Sequence, residues 1–386
     1  MPTTSDITDR LPHSAELLTG RVAEYGELVD AIRERPGLLV VTADPWSGTS
    51  ALLNAALDQV EQPTLLVDAR RCRDAMDLAM AIADRAVGEF AREAQPWWMT
   101  SGPPSDAGGL RLARALDSRG IDPNNLRIGT GDPTFALRDA IEILASISDS
   151  TSVAIDHLGP LLSSLPATSA RELLGTLRAL RQRFASIDFI LVEYPEGPIG
   201  AALANPGHPM YLAGGQLRIT RARPARFYGD FAITRDWTDV RLGVIGAAAE
   251  LASGVPALTW SIAKLAQLQS GSDATRAFEG WQEFRRLVAP ATAHQWELLR
   301  RVHPLAQPII TAMSAGLRPH SVGANAKSVN EGLKRLREVG LAWRTELRSW
   351  VLADPLLAAW ARDHAAPWAQ RKSQLASTAS TVRSEG

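Results

Sequence analysis

The stretch Ala43-Asp44-Pro45-Trp46-Ser47-Gly48-Thr49-Ser50 follows an apolar run and precedes a helical pattern. A phosphate-binding loop of the form G-x-x-x-x-G-K-[ST] stands in that setting. Its backbone N–H groups and helix N-terminus hold phosphates, its lysine reaches the β- and γ-phosphates, and its hydroxyl takes Mg²⁺. Gly48 and Ser50 match this pattern, whereas Ala43 replaces the first glycine and Thr49 the lysine. Asp44 adds a carboxylate where a polyanion should sit, and Pro45 removes a backbone donor. Lysine occurs only at Lys264, Lys327, Lys334 and Lys372, so the first 263 residues hold no substitute. About 110 residues on, Asp156 ends the apolar run SVAID, where such a site places its magnesium-ordering aspartate. His157 follows it, and a histidine there is either a general base or a hydrogen-bonded structural residue.

The surrounding elements set these residues in place. LLVVTA (38–43), TLLVDA (64–69), the strand within 151–162, IDFILVEYP (187–195) and GQLRITRARP (215–224) read as strands, the first two as buried parallel strands. Helical patterns alternate with them at 16–35, 50–60, 75–94, 135–149 and 170–185, which predicts βαβ units. The expected fold is α/β, with a doubly wound, mostly parallel sheet.

After about residue 225 helices take over, including 274–288 and 293–302. Residues 293–352 then carry three helices and a hairpin pattern, as a winged helix does. The expected layout is a tail (1–14), a P-loop-like α/β domain (15–224), a helical lid (225–289), a winged helix (290–370) and a polar tail (371–386).

A winged helix places its third helix in the major groove and its hairpin against the backbone. The candidate DNA-contacting residues are therefore Lys327, Lys334, Arg335 and Arg337 on the helix, with Arg344 and Arg348 on the wing. Residues 291–386 hold thirteen Lys+Arg against seven Asp+Glu (+6), and the remainder holds 28 against 35 (−7). The basic end is the candidate for a polyanion, although Glu331, Glu338 and Glu346 intersperse its bases and equally suit a protein-docking module. Trp97 and Trp98, beside a Pro/Gly/Ser-rich segment, are either tucked inward or an interaction patch.

Gly20, Arg21, Glu24 and Leu28 resemble the segment before the phosphate loop in the STAND-like and origin-recognition branches of the AAA+ ATPases. Gly254-Val255-Pro256 looks like the turn opening their lid helix, and Asp354-Pro355 like the D-P pair near the end of the winged helix. The likeness runs through roughly residues 15–366. It implies ATP or ADP bound with Mg²⁺, nucleotide contacts from Ala43 through Ser50, and metal contacts from Ser50 and Asp156. Any catalysis would fall to Asp156 and His157.

The departures oppose turnover. The lysine is gone, as is the glutamate that many members carry after the aspartate. The favoured expectation is a degenerate ATPase acting as a binding or assembly scaffold, with duplex DNA, a protein partner or a homo-oligomer as possible associations. One alternative is an active switch in which an arginine such as Arg70, Arg71 or Arg73 replaces the lysine. The other is a protein-interaction module with neither ligand.

Composition supports an ordinary globular chain, with 45% hydrophobic and 22% charged residues. No apolar run is long enough to span a bilayer, and no secretory signal pattern opens the chain. The single cysteine, Cys72, excludes an internal disulfide framework. A cytoplasmic protein is expected.

Overall fold

The computed structural model describes residues 20–93, 133–195, 197–222, 241–344 and 349–364. Trp97, Trp98 and Arg348 lie outside these residues. The chain divides into two compact units. Met1–Asp44 with Gly48–Thr220 form the first, and Pro45–Ser47 with Arg221–Gly386 form the second.

The first unit runs α1 (Val22–Arg33), β1 (Leu38–Ala43), α2 (Thr49–Leu57), β2 (Thr64–Asp68), α3 (Ala75–Glu93) and α4 (Pro133–Ile147). It continues with β3 (Thr151–Asp156), α5 (Leu158–Ser164), α6 (Ala167–Arg183), β4 (Ile187–Glu193), α7 (Pro198–Ala204) and β5 (Gly215–Ile219). The five strands form one sheet in the order β2-β3-β4-β1-β5. Every pairing is parallel.

The alternation of side chains across each strand explains why the central strands β1, β3 and β4 are mostly apolar, whereas the edge strand β5 exposes Gln216 and Arg218. Leu38 and Val40 of β1 face one layer with Val153, Ile155, Phe189 and Leu191, where α3, α4 and α6 add Leu78, Ile82, Leu137, Leu144 and Leu177. Leu39 and Val41 face the opposite layer with Ile190 and Val192, where α1 and α2 add Leu28, Ile32, Leu52 and Leu53. A strand that must satisfy two helical layers has no face left for polar residues.

The Gly-Gly pair before β5 has a local cause. Gly214 adopts φ +75°, and a Cβ there would lie 2.1 Å from the Leu38 carbonyl oxygen. Only glycine lets the chain turn this tightly into the sheet edge beside β1.

In the second unit, α8 (Leu242–Leu251) and α9 (Pro256–Ala266) precede α10 (Asp273–Val302). The two helices expected at 274–288 and 293–302 are thus one helix of 30 residues, with Pro290 inside it. Ser272 caps its start by accepting from the Thr275 N–H. Then come α11 (Ala306–Ser314), α12 (Ala326–Glu338), β6 (Ala342–Arg344), β7 (Trp350–Leu352) and a helix over 355–364, here α13. The β6–β7 pair is antiparallel, with Trp343 opposite Val351.

Two apolar clusters fill this unit. Ile245, Ala248, Trp260, Ile262 and Trp281 form one, with Ala359 of α13. Leu299, Ile309, Ile310, Val329, Leu333 and Leu336 form the other, with Leu357 and Ala361 of α13. Both α10 and α13 therefore contribute to both clusters.

Candidate functional site

The C-terminal ends of the strands carry the candidate site. Along that edge the registers bring Asp68 opposite Asp156, and Thr42 opposite Glu193. Strand β4 lies between β1 and β3, so Glu193 stands between the end of the loop-bearing strand and Asp156.

The loop leaves β1 with the Asp44 N–H donating to the Ile219 carbonyl of β5 at 2.9 Å. Trp46 holds a left-handed backbone (φ +64°), a strained conformation for a bulky residue. Its ring is 44% exposed. Gly48, at φ +79°, is the N-cap of α2 and offers no side-chain acceptor to the helix N–H groups. Ala43, Pro45 and Ser47 are buried, and Ser50 is exposed. Thr49, in the lysine position, is also buried. Its short side chain is neither charged nor long enough for a lysine's reach to a terminal phosphate.

Asp156 is 5% exposed, and its carboxylate is already engaged. The His157 N–H donates to Oδ1 at 2.8 Å. The His157 ring nitrogen Nδ1 lies 3.2 Å from Oδ2. That same nitrogen is 3.6 Å from Oδ1 of Asp68. His157 reaches both acids because it occupies the left-handed region (φ +57°) at the start of α5. Arg70 forks onto Asp68, with Nη2 2.7 Å from Oδ2 and Nε 3.0 Å from Oδ1. Tyr194 meets the imidazole edge-on, with centroids 6.3 Å apart.

The charges follow from these contacts. Burial pushes the Asp68 carboxyl upward, but the Arg70 hydrogen bonds and charge outweigh it and hold the group below its ordinary value. The bond to Asp68 raises the Arg70 guanidinium in turn. Burial, then the Asp156 charge, raises the Tyr194 phenol. Glu193 differs, because burial pushes it up to about 7 although the Ile199 and Gly200 N–H groups both bond to it.

The remaining sequence candidates are dispersed. Arg73 is spent on Asp77, with Nε 2.8 Å from Oδ2, and Arg71 is exposed. Of the residues before the loop, Arg21 is fully buried, with Nη1 3.5 Å from Glu24 and bonded to the Thr220 carbonyl. Leu28 is also fully buried, in the core. On α12, Arg335 lies 3.3 Å from Glu331 and 3.0 Å from Glu338, and Lys334 is 3.9 Å from Glu338. Lys327 is exposed at the start of α12, Arg337 is half-buried, and Arg344 lies over the Trp350 ring at 5.1 Å.

Asp68, Tyr194 and Glu193 were missed as site residues. Asp68 and Glu193 have a signal in the sequence, since TLLVD and FILVE, like SVAID, each end an apolar strand in an acid. Among the described residues no group of three or more His, Cys, Asp or Glu side chains forms a metal cradle. No described helix is long and apolar enough to cross a membrane.

Comparison with solved structures joins these observations. The Walker-type ATPase PabY2304 of Pyrococcus abyssi superposes with a TM-score of 0.59 at 17% identity, covering 88% of this chain and 95% of that one. The Aeropyrum pernix ORC2 protein, in ADPNP–ADP complexes, gives 0.51 at 12% identity, covering 92% and 95%. The chain has the fold of the AAA+ P-loop ATPases. No protein-family model matches the sequence, and no curated protein does.

Proposed function

We propose that this protein is a non-hydrolysing AAA+-fold scaffold whose C-terminal module contacts duplex DNA. The observation that carries the first half is the state of Asp156. The His157 backbone N–H donates to Oδ1 at 2.8 Å, and the imidazole Nδ1 stands 3.2 Å from Oδ2 without hydrogen-bonding to it. An aspartate that orders magnesium needs an oxygen open to the ion or its waters. A backbone donor on one oxygen and an imidazole crowding the other suit Mg²⁺ poorly, and we route no chemical step through it. The loop agrees, since exchanging lysine for Thr49 removes a charge-assisted phosphate contact of roughly 1.5–3 kcal/mol. No glutamate follows Asp156 to polarise a water, and His157 is turned onto two carboxylates.

Adenine nucleotide without turnover stays compatible with this reading. The A. pernix ORC2 protein is described with ADPNP and ADP, and α2 here still begins at a left-handed Gly48 beside the exposed Ser50. A bound nucleotide would serve as a structural ligand, with the helix N-terminus meeting a phosphate. The α/β domain (15–224), lid (225–289) and winged helix (290–370) form the working layout. In it α12 would enter the groove, and Lys327 with Arg344 and Arg348 would meet phosphates. The glutamates paired with Lys334 and Arg335 lower the net charge of that face, which suits modest affinity. A cytoplasmic location, assembly with further copies and docking of a protein partner fit the same scaffold.

The deciding experiment measures phosphate release and nucleotide binding on the full chain with ATP and Mg²⁺. Turnover at background, unchanged by Asp156→Ala, supports the proposal. Magnesium-dependent turnover lost in Asp156→Ala would overturn it.

A further inference from the structure

A groove of about 340 Å³ opens between α10 and α13 of the second unit. Arg285, Arg286 and Ala289 of α10 form one wall, and Leu356, Trp360 and His364 of α13 the other. Its chemistry is two-sided. Ala289, Leu356 and Trp360, with Val288, supply an apolar body, and two guanidinium groups and an imidazole line it besides. Among the described lining residues there is no carboxylate. The volume is at the small end of the range for small-molecule sites.

The aromatic wall is held in place. The Trp360 and His364 rings stack with centroids 3.8 Å apart and planes 12° from parallel. Arg285 is aligned from below by the Trp281 ring, 5.7 Å away, and pairs with Asp363. Arg286 pairs with Glu283, one turn back on its own helix, with Nη2 2.6 Å from Oε1. Glu283 and Arg286 are both solvent-facing. An exposed pair of this kind contributes little and exchanges partners readily, so the Arg286 guanidinium can turn to an incoming acid, while Arg285 stays paired with Asp363.

The position of the groove adds a consequence for the fold. Pro290 lies beside Ala289 and cannot donate to the Arg286 carbonyl, so the ladder of α10 is broken beside the groove. Since α10 and α13 each reach both apolar clusters, an occupant between them would brace the two clusters together.

We propose that this groove binds a small aromatic monocarboxylate, its ring beside Trp360 and Leu356 and its carboxylate on Arg286.

The test titrates the full-length protein with 2-naphthoate, and in parallel with uncharged 2-naphthalenemethanol, by calorimetry and ligand-observed NMR. One naphthoate should bind per chain, with the alcohol about tenfold weaker, the equivalent of one charge-assisted hydrogen bond. Arg286→Gln, a surface change, should weaken naphthoate about tenfold and leave the alcohol unaffected. Ala289→Trp should fill the groove and abolish both, with the circular dichroism spectrum confirming that it folds. Absence of saturable binding, equal affinity for acid and alcohol, or unchanged binding in Arg286→Gln would each overturn the proposal. Unchanged binding in a folded Ala289→Trp would do the same. Should Ala289→Trp not fold, the acid–alcohol comparison and Arg286→Gln decide alone.

Discussion

Replacing Glu193 by glutamine should change how stability depends on pH. Glu193 is 2% exposed, and burial moves its carboxyl from 4.5 to about 7. The folded state thus holds this proton more tightly than the unfolded chain, so this group's contribution to stability falls as pH rises from about 4.5 through 7. The full interval, at 1.36 kcal/mol per pH unit, corresponds to about 3 kcal/mol, of which about 2.5 kcal/mol falls between pH 5 and 8. Glu193→Gln keeps one acceptor oxygen but sets an NH2 against the second backbone N–H donor, which offsets its stability by an amount that does not vary with pH. Between pH 5 and pH 8 the variant should therefore gain about 2.5 kcal/mol relative to wild type, which is several degrees of melting temperature for a domain of this size. Denaturant unfolding of both proteins at pH 5, 6, 7 and 8 reads the difference directly. Asp354, also raised by burial, has the same direction, and His208, lowered, has the opposite one. Both are common to the two proteins and cancel in the comparison. Parallel stability–pH curves would refute the reasoning, because the two backbone N–H bonds would then have kept Glu193 ionised throughout.

Three further outcomes follow from the geometry. Gly214→Ala should destabilise the protein by about 2 kcal/mol or more, since it adds left-handed strain to a collision with the Leu38 carbonyl; chemical denaturation measures it. If α12 contacts DNA, Lys327→Ala should lower duplex affinity and reduce the salt slope by about one, whereas Arg335→Ala should change it less because Arg335 is held by Glu331 and Glu338. Fluorescence anisotropy across a salt series distinguishes the two. His157→Ala keeps the backbone N–H on Oδ1 but clears the imidazole from Oδ2 of Asp156, and a gain of Mg²⁺ binding in calorimetry relative to wild type would be the expected sign. Equal, undetectable Mg²⁺ binding in both proteins would count against histidine as the blocking group.

Much of the fold was legible because the strands leave little choice. LLVVTA, SVAID and IDFILVE are buried on both faces, and such runs look the same in sequence as in structure. The β6–β7 hairpin was equally readable from the alternation in LAWR and WVL. The short helices α5 and α7 were not, since seven residues following directly on a strand end or a tight turn leave no room for a periodic pattern. Two helices, 274–288 and 293–302, were expected where α10 is continuous, because the proline between them costs the helix only one ladder bond and a local adjustment, and packing on both sides carries the helix across it.

The site was only half legible. The departures of Ala43–Ser50 from the phosphate-loop pattern and the position of Asp156 are matters of residue type and spacing, which a sequence displays. The engagement of Asp156 by His157 depends on a left-handed backbone at one residue, and the Asp68–Arg70 contribution depends on β2 lying beside β3. Neither adjacency is written in local order.

The long helix α10 also governs how this half of the molecule can be divided. Trp281 on its first half and Leu299 on its second belong to different apolar clusters, with no loop between them. A cut at residue 290 would not release two modules. It would leave each fragment with a frayed helix end and would strip α13 of one of the two surfaces it covers. Fragments for biochemistry should therefore keep residues 241–364 together, and a partner or ligand that grips one end of α10 has a continuous helix through which to be felt at the other.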